Sequence, residues 1–358
     1  MTNLDNIDDL KKLDSAGALD SIAQLADQAE QGWSEARKIS FDDSYRQAKA
    51  IVCAGMGGSA YGMRIVKSLY DTAESTRIPM ELVNNYTLPG YVDEHTIVIL
   101  SSYSGTTEET LASAKIAKEK KAKIIGITSG GPLADFLKEN DYPAYIFTPT
   151  HNPSKQPRIG QGYMQLGIMG MLSSLGYITL SDTEVEETIA MLRKNVLTMT
   201  ADSVESANPA KQLARSLVGI IPVFIATEHL EGAIHAVRNP FHETAKQFAL
   251  YFPVPELNHH LMEGLQFPKE VKPYLRFVFI ESTLYSEKNG KRMKLTREVV
   301  EKNDIKTQSV PLSATSAFGQ VMEYIQLGSF VTFYLAMLND VDPNKIQWVD
   351  YFKNQLKS

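Results

Sequence analysis

Residues 50–62 read AIVCAGMGGSAYG, and residues 96–110 read TIVILSSYSGTTEET. Each opens as an unbroken apolar run of strand length, turns through glycine and hydroxyl residues, and continues as a helical pattern. Strands without a polar alternation are buried on both faces, the condition of a parallel sheet covered by helices. MELVNN, KIIGITS followed by PLADFLKEN, and AYIFTP extend the same series. This predicts an α/β fold with a doubly wound sheet. Gly55, Gly57 and Gly58 allow a sharp turn and close backbone approach, and Ser59 falls at the start of the helix. In the second turn Ser102, Ser104 and Thr107 surround Gly105, with Glu108 and Glu109 in the first helical turn. Such strand-to-helix turns suit a phosphate, because unpaired amides and the positive helix end favour an anion. Taken singly, each is equally a capped turn of an ordinary α/β fold. No lysine follows the glycines, and no clear acidic residue stands about 20 positions on, so the pair favours a phosphate group over a nucleotide.

On the N-terminal side, Leu10, Leu13, Leu19, Ile22 and Leu25 keep helical spacing. On the C-terminal side a long apolar helical pattern covers Gln156 to Tyr177, and a polar, acidic one covers Asp182 to about Leu217. The strand and helix alternation then restarts. GIIPVFIATE reads as a strand, GAIHAVRNPFHETAKQFAL as a helix with an interruption at Pro240, and YLRFVFIES as a strand. SEKNGKRMKLTREVVEKN follows as polar helix and turn, KTQSVPL as a strand, and Ser316 to Leu338 as a buried helix. The second half repeats the architecture of the first without visible sequence identity. The expected division is an N-terminal helical segment (1–40), a first, phosphate-binding α/β domain (41–155), connecting helices (156–200), and a second domain with C-terminal helices (201–358).

Composition narrows the function classes. With 358 residues and 43% hydrophobic content the chain can fill two cores. A net charge of -6, from 36 Lys plus Arg against 42 Asp plus Glu, provides no basic face for nucleic acid. The single cysteine, Cys53, lies in an apolar run and reads as a core residue. The longest apolar stretches, Tyr163 to Leu180 and Ile325 to Leu338, are broken by Gln, Gly, Ser and Thr, so they read as buried helices and not as membrane spans. The opening MTNLDNIDDLKKLD lacks the pattern of a secretory signal or transit peptide, and a cytoplasmic location is expected.

A second cluster, RNPFHETAKQFALYFPVPELNHHLMEG, gathers Arg238, His242, Glu243, Lys246, Glu256, His259, His260 and Glu263. Its histidines lack the His-x-x-x-His spacing that places two metal ligands on one helical face, so no metal site is expected. Two readings stay open on the residues alone: a surface ion pair between Glu243 and Lys246 on one helix, or acid-base catalysis.

GMGGS, SSYSGTTEE, QPR at Gln156 to Arg158, HETAK, ELNHH and the closing VDPNKIQWVDYFKNQLK occur in that order. Together they resemble the bifunctional phosphoglucose/phosphomannose isomerases, members of the sugar isomerase (SIS) group related to phosphoglucose isomerase, from about residue 50 to the end. The resemblance implies two SIS domains, each a parallel sheet between helices in three αβα layers. It implies interconversion of glucose 6-phosphate or mannose 6-phosphate with fructose 6-phosphate, without cofactor or metal. It assigns the phosphate to Gly57, Gly58 and Ser59 and to Ser102, Ser104 and Thr107. Arg158 is implied beside the sugar as stabiliser of the enediolate, and Glu243 as the base that moves the proton between the first two carbons. The resemblance also implies a homodimer in which His259, supplied by the neighbouring subunit, opens the ring, and a contact of Lys353 near the ring oxygen. The family often has Asn where this chain has His242. The choice of His259 over His260 rests on a one-residue alignment, and Lys345 and Lys357 flank Lys353 in the same tail.

The chemistry suits these residues on its own terms. Abstracting a proton beside a carbonyl needs a base over the carbon and a positive or hydrogen-bonding group where the oxygen becomes negative. Ring opening needs a group that gives and takes a proton near neutral pH. A non-catalytic SIS module that senses a sugar phosphate is the alternative; it needs the hydroxyl turns but neither Glu243 nor His259. An amino-sugar isomerase coupled to an amidotransferase would need a cysteine at the start of that added domain, and Cys53 is the sole cysteine.

Overall fold

The computed structural model describes residues 2–71 and 78–356. Three helices come first: α1 (Ile7–Leu13), α2 (Ala18–Ala23) and α3 (Leu25–Ala36). The first sheet is built from β1 (Ala50–Gly55), α4 (Tyr61–Tyr70), β2 (Met80–Val83), β3 (Thr96–Ser101), α5 (Glu108–Glu119), β4 (Lys123–Thr128), α6 (Gly131–Glu139) and β5 (Ala144–Ile146). Helices α7 (Gln161–Leu175), α8 (Asp182–Asn195) and α9 (Pro209–Ser216) lead to the second sheet. That sheet comprises β6 (Ile221–Thr227), α10 (Glu231–Glu243), β7 (Leu250–Val254), α11 (Leu261–Gly264), β8 (Leu275–Glu281), α12 (Glu287–Lys302) and β9 (Lys306–Pro311). The chain closes with α13 (Ala317–Leu338) and α14 (Gln347–Leu356).

Both sheets are parallel throughout, in the orders β2-β1-β3-β4-β5 and β7-β6-β8-β9. In each, the chain runs from its first strand to one neighbour and then crosses to the other side. The carboxyl ends of β1 and β3, and of β6 and β8, are therefore the switch points where the following loops part and leave a crevice. Every residue of β1 and β3 is buried because helices cover both faces. Ile51, Cys53, Ile97 and Ile99 join a central core, while Val52, Ala54, Val98 and Leu100 meet Ala114, Ala117, Leu133 and Leu137 of α5 and α6. The second sheet alternates likewise, with Phe224, Val278 and Ile280 in the central core and Val223, Ile225, Phe277 and Phe279 against Met293 and Val300 of α12. At about 1.5–3 kcal/mol for each fully buried large aliphatic side chain, this two-sided covering is the main stabilising term. The expected fold class, two αβα domains each built on a parallel sheet between helices, is what the chain adopts.

Burial pushes the Cys53 thiol up to about 12, as befits a core residue. Helix α13 is long and apolar enough to cross a membrane, but 83% of its most apolar window is buried inside the protein, and it serves as a core helix.

Three helix limits differ from the sequence expectation. The apolar pattern from Gln156 begins as helix only at Gln161, because 152–158 form a loop held by Asn152, Ser154 and Gln156. The acidic stretch from Asp182 is broken after Thr198, and α9 restarts where Asn208 caps it ahead of Pro209. Helix α10 passes through Pro240 but ends at Glu243, well short of Ala249. There Lys246 adopts a left-handed backbone (φ 53°), and the His242 ring meets the Ala249 backbone instead.

Candidate active site

The glycine and hydroxyl turns meet at the carboxyl ends of β1 and β3. Gly57 lies at φ 50° and Gly105 at φ 69°, a region costly for a residue with a β-carbon. A β-carbon at Gly105 would also collide with the Gly130 carbonyl. Two bonds clasp the turns together: the Tyr103 N–H donates to Ser59 Oγ at 2.8 Å, and Ser101 Oγ donates to the Ser59 carbonyl at 2.6 Å. The hydroxyls of Ser102 and Thr107 lie 2.8 Å apart, and those of Ser104 and Thr106 lie 2.9 Å apart. Thr107 is the N-cap of α5, yet its side chain makes no capping bond to the helix. The positive end of α5 is thus left without its usual internal acceptor, beside a set of hydroxyls that can turn to an incoming oxyanion.

Gly58 packs directly on the chain at Pro157 and Arg158: a β-carbon there would stand 3.2 Å from the Pro157 carbonyl. Arg158 is 3% exposed and spends its donors on three separate segments. Its Nε donates to Thr244 Oγ1 (3.2 Å), Nη1 to Gln156 Oε1 (2.8 Å), and Nη2 to the carbonyls of Pro343 (2.7 Å) and Asn344 (3.0 Å). Nη1 also lies 3.9 Å from Glu243 Oε2. Burial pulls the Arg158 pKa down, and the Glu243 carboxylate opposes that pull. Glu243, the last residue of α10, keeps about a third of its side chain open to solvent. Tyr61, at the start of α4, is fully buried; burial first and the Glu243 charge second raise its pKa. The first turn, Arg158 and Glu243 therefore form one contiguous cluster across the junction of the two sheets.

Lys246 is part of the same neighbourhood but makes no ion pair with Glu243. It has left the helix, and its Nζ donates to the carbonyls of Asp342 (2.6 Å) and Thr244 (3.2 Å). Burial, and then the charge of Arg158, bring its pKa down to about 8. Sequence reasoning missed the Arg158 partners Thr244, Pro343 and Asn344. The one available signal was the position of Thr244 directly after Glu243.

Among the described residues, no hydrogen bond or ion pair joins His259, His242 or Lys353 to this cluster in the single chain. His259 ends a short turn after β7, whereas Glu243 precedes β7, so the two lie at opposite ends of a five-residue strand. At ~3.3 Å per residue that is about 16 Å. Both His259 and His260 are exposed, and His260 leans on the ring of Phe252. His242 is turned to Ala249 and stacks on Phe248, which makes it a brace of the loop after α10. Lys353 lies on α14, a helix with no buried residue, although the start of α14 is tied to Arg158 through Pro343 and Asn344. Lys345 pairs with Asp342 at 3.6 Å, and Lys357 lies outside the described residues. A cavity of about 670 Å³ flanks the first half of α10, lined by Arg64, Lys67, Glu231, His235 and Tyr251; it does not include the cluster around Glu243.

The description "SIS domain" matches residues 44–158, and "Bacterial phospho-glucose isomerase C-terminal SIS domain" matches residues 206–356. A bifunctional phosphoglucose/phosphomannose isomerase of Caldicellulosiruptor bescii is 29% identical over 94% of this chain and 98% of its own length. One of the same name from Thermoplasma volcanium is 27% identical over 89% of this chain and 96% of its own. Among solved structures, a hypothetical protein of Thermus thermophilus superposes with a TM-score of 0.71 at 17% identity, covering 94% of this chain and 90% of that one, a likeness of fold. With two SIS-domain matches in tandem and relatives of one name covered over nearly their whole length, the chain is similar from end to end to the bifunctional phosphoglucose/phosphomannose isomerases.

Proposed function

We propose that this chain interconverts glucose 6-phosphate and mannose 6-phosphate with fructose 6-phosphate through a cis-enediolate, using side chains alone. The observation that carries the reading is the Arg158 and Glu243 pair, 3.9 Å apart, packed against the glycine turn that ends β1. The substrate phosphate sits on Gly57, Gly58 and Ser59 and on Ser102, Ser104 and Thr107. Its binding energy holds the reacting end over Glu243. Once the sugar is open, the Glu243 carboxylate takes the proton from the second carbon of the aldose, the carbonyl oxygen becomes negative, and Arg158 stabilises that charge. Within the cis-enediolate the hydroxyl proton on the second carbon passes to the oxygen on the first, and Glu243 returns its proton to the first carbon, which leaves the carbonyl on the second carbon and gives the ketose. Rotation of the enediolate about the single bond between its second and third carbons presents either face of the second carbon, which lets one carboxylate serve both epimers.

Ring opening comes first, and we assign it to His259 of a second copy. The anomeric hydroxyl gives up a proton, the bond from the first carbon to the ring oxygen breaks, and that oxygen takes a proton. An imidazole can serve both exchanges. The separation of His259 from Glu243 along β7 supports delivery across a homodimer. Helix α14 supports it too, since the described residues leave Trp348 75% and Phe352 61% exposed. In the assembled dimer Lys353 contacts the sugar near its ring oxygen.

The test is a coupled assay of fructose 6-phosphate formation from each aldose phosphate, with chelator present, on the wild type and on Glu243→Gln. Both substrates should turn over, and the variant should lose at least about 10²-fold in kcat, the usual worth of a general base, while still binding substrate. Inactivity of the wild type on both, or near-normal turnover by the variant, rules the reading out.

A further inference from the structure

The two sheets correspond strand for strand: β6 stands for β1, β7 for β2, β8 for β3 and β9 for β4. The correspondence reaches into the turns. The short helical turn after β1 begins at Gly57, and the one after β6 begins at Glu228. Both residues are left-handed, with φ 50° and 53°. Glycine adopts that conformation freely and glutamate does not, so the second domain keeps the backbone of the phosphate turn at a conformational cost. Likewise α12 stands where α5 does, at the carboxyl end of the second central strand.

The side chain of Glu228 shows what that cost accompanies. Its carboxylate reaches the N-terminus of α12 and accepts there from Ser286 Oγ (2.6 Å), Asn289 Nδ2 (2.7 Å) and the Ser286 N–H (3.1 and 3.3 Å to its two oxygens). Desolvation works against the charge, but the bonds from Ser286 and Asn289 prevail and hold the pKa below the ordinary glutamate value. In the first domain the matching residue has no side chain, and the side chain of the matching cap, Thr107, makes no bond to its helix. The α5 terminus is left for a ligand, whereas the α12 terminus is filled from within by an anion.

The geometry points to Glu228 as a built-in carboxylate that occupies the phosphate place of the second domain and so confines the hexose phosphate to the first. This rests on the proposed phosphate site of the first domain. Glu228 is thus a specificity-determining residue: it keeps a second sugar phosphate from seating away from Arg158 and Glu243.

The test is calorimetric titration of the full chain with inorganic phosphate, read as the increment in stoichiometry over the wild type. Glu228→Gly should take up one more phosphate per chain. Glu228→Gln, which keeps the filling side chain, should gain none. Adding Ser286→Ala to the glycine variant should weaken the gained site by about tenfold, as expected for the loss of one charge-assisted hydrogen bond. A folded Glu228→Gly with no increment, or an increment in Glu228→Gln, overturns the proposal. If the glycine variant melts too low to titrate, phosphate should raise its Tm several degrees more than that of the wild type, and an equal or smaller rise overturns it. A wild type that takes up no phosphate refutes the first-domain site, while the increment still decides the role of Glu228.

Discussion

Arg158 holds together parts of the chain that are far apart in sequence. Its bonds to Thr244 and Pro343 span 86 and 185 residues. A lysine has one ammonium on a flexible stem and cannot reach Thr244, Gln156, Pro343 and Asn344 together. Arg158→Lys should therefore lower kcat by about 10²–10³-fold, the typical worth of one oxyanion donor. It should also cost about 1–3 kcal/mol of stability through buried carbonyls left unpaired. Steady-state kinetics and a thermal melt on the same variant separate the two effects. A lowered Tm with unchanged kcat would reduce Arg158 to a structural clamp. The arginine was legible in the sequence because QPR stands in a recognisable order with the other motifs. Its partners were not, since a hydrogen bond across 185 residues leaves no local pattern in either segment.

At the scale of elements, α10 bears Glu243 at its end and His235 in its first half. The His235 ring meets Tyr61 of α4 edge-on (centroids 6.0 Å apart) and Tyr251 of β7 edge-on (5.3 Å), and its Nδ1 is buried with no hydrogen-bond partner among the described residues. Burial, then the charges of Arg64 and Arg238, push its pKa down to about 3. The unfolded chain binds this proton below about 6.5 while the folded chain refuses it until about 3, so the unfolded state holds more protons across that window. Stability should therefore fall as the pH drops from about 6.5 towards 3. His235→Gln should flatten that part of the profile, measured by denaturant unfolding across the window; an unchanged slope would remove His235 as the cause. The strands were legible because a run buried on both faces leaves an unbroken apolar signature, as in AIVCAG and TIVILS. The end of α10 was not, because helical spacing continues through Thr244 to Ala249 while tertiary bonds divert the backbone. There Arg158 holds Thr244, Lys246 reaches the Asp342 carbonyl, and His242 meets Ala249.

At the scale of the whole molecule, two equivalent copies make the site testable without a structure of the pair. If Glu243 of one copy works with His259 of the other, each active site draws one residue from each chain, as a two-fold interface requires. Glu243→Gln and His259→Ala homodimers should then each be inactive or nearly so. Dissociating and re-pairing the two at equal amounts makes half of the dimers mixed. In a mixed dimer one site collects both altered residues and the other collects both intact ones. The mixture should thus recover about one quarter of wild-type kcat per site, with wild-type KM. If both residues acted within one chain, each chain would keep its own defect and mixing would restore nothing. The same experiment with His260→Ala distinguishes the neighbouring histidines: a His260→Ala homodimer active before mixing leaves the proton transfer with His259, and a silent one that complements Glu243→Gln moves it to His260.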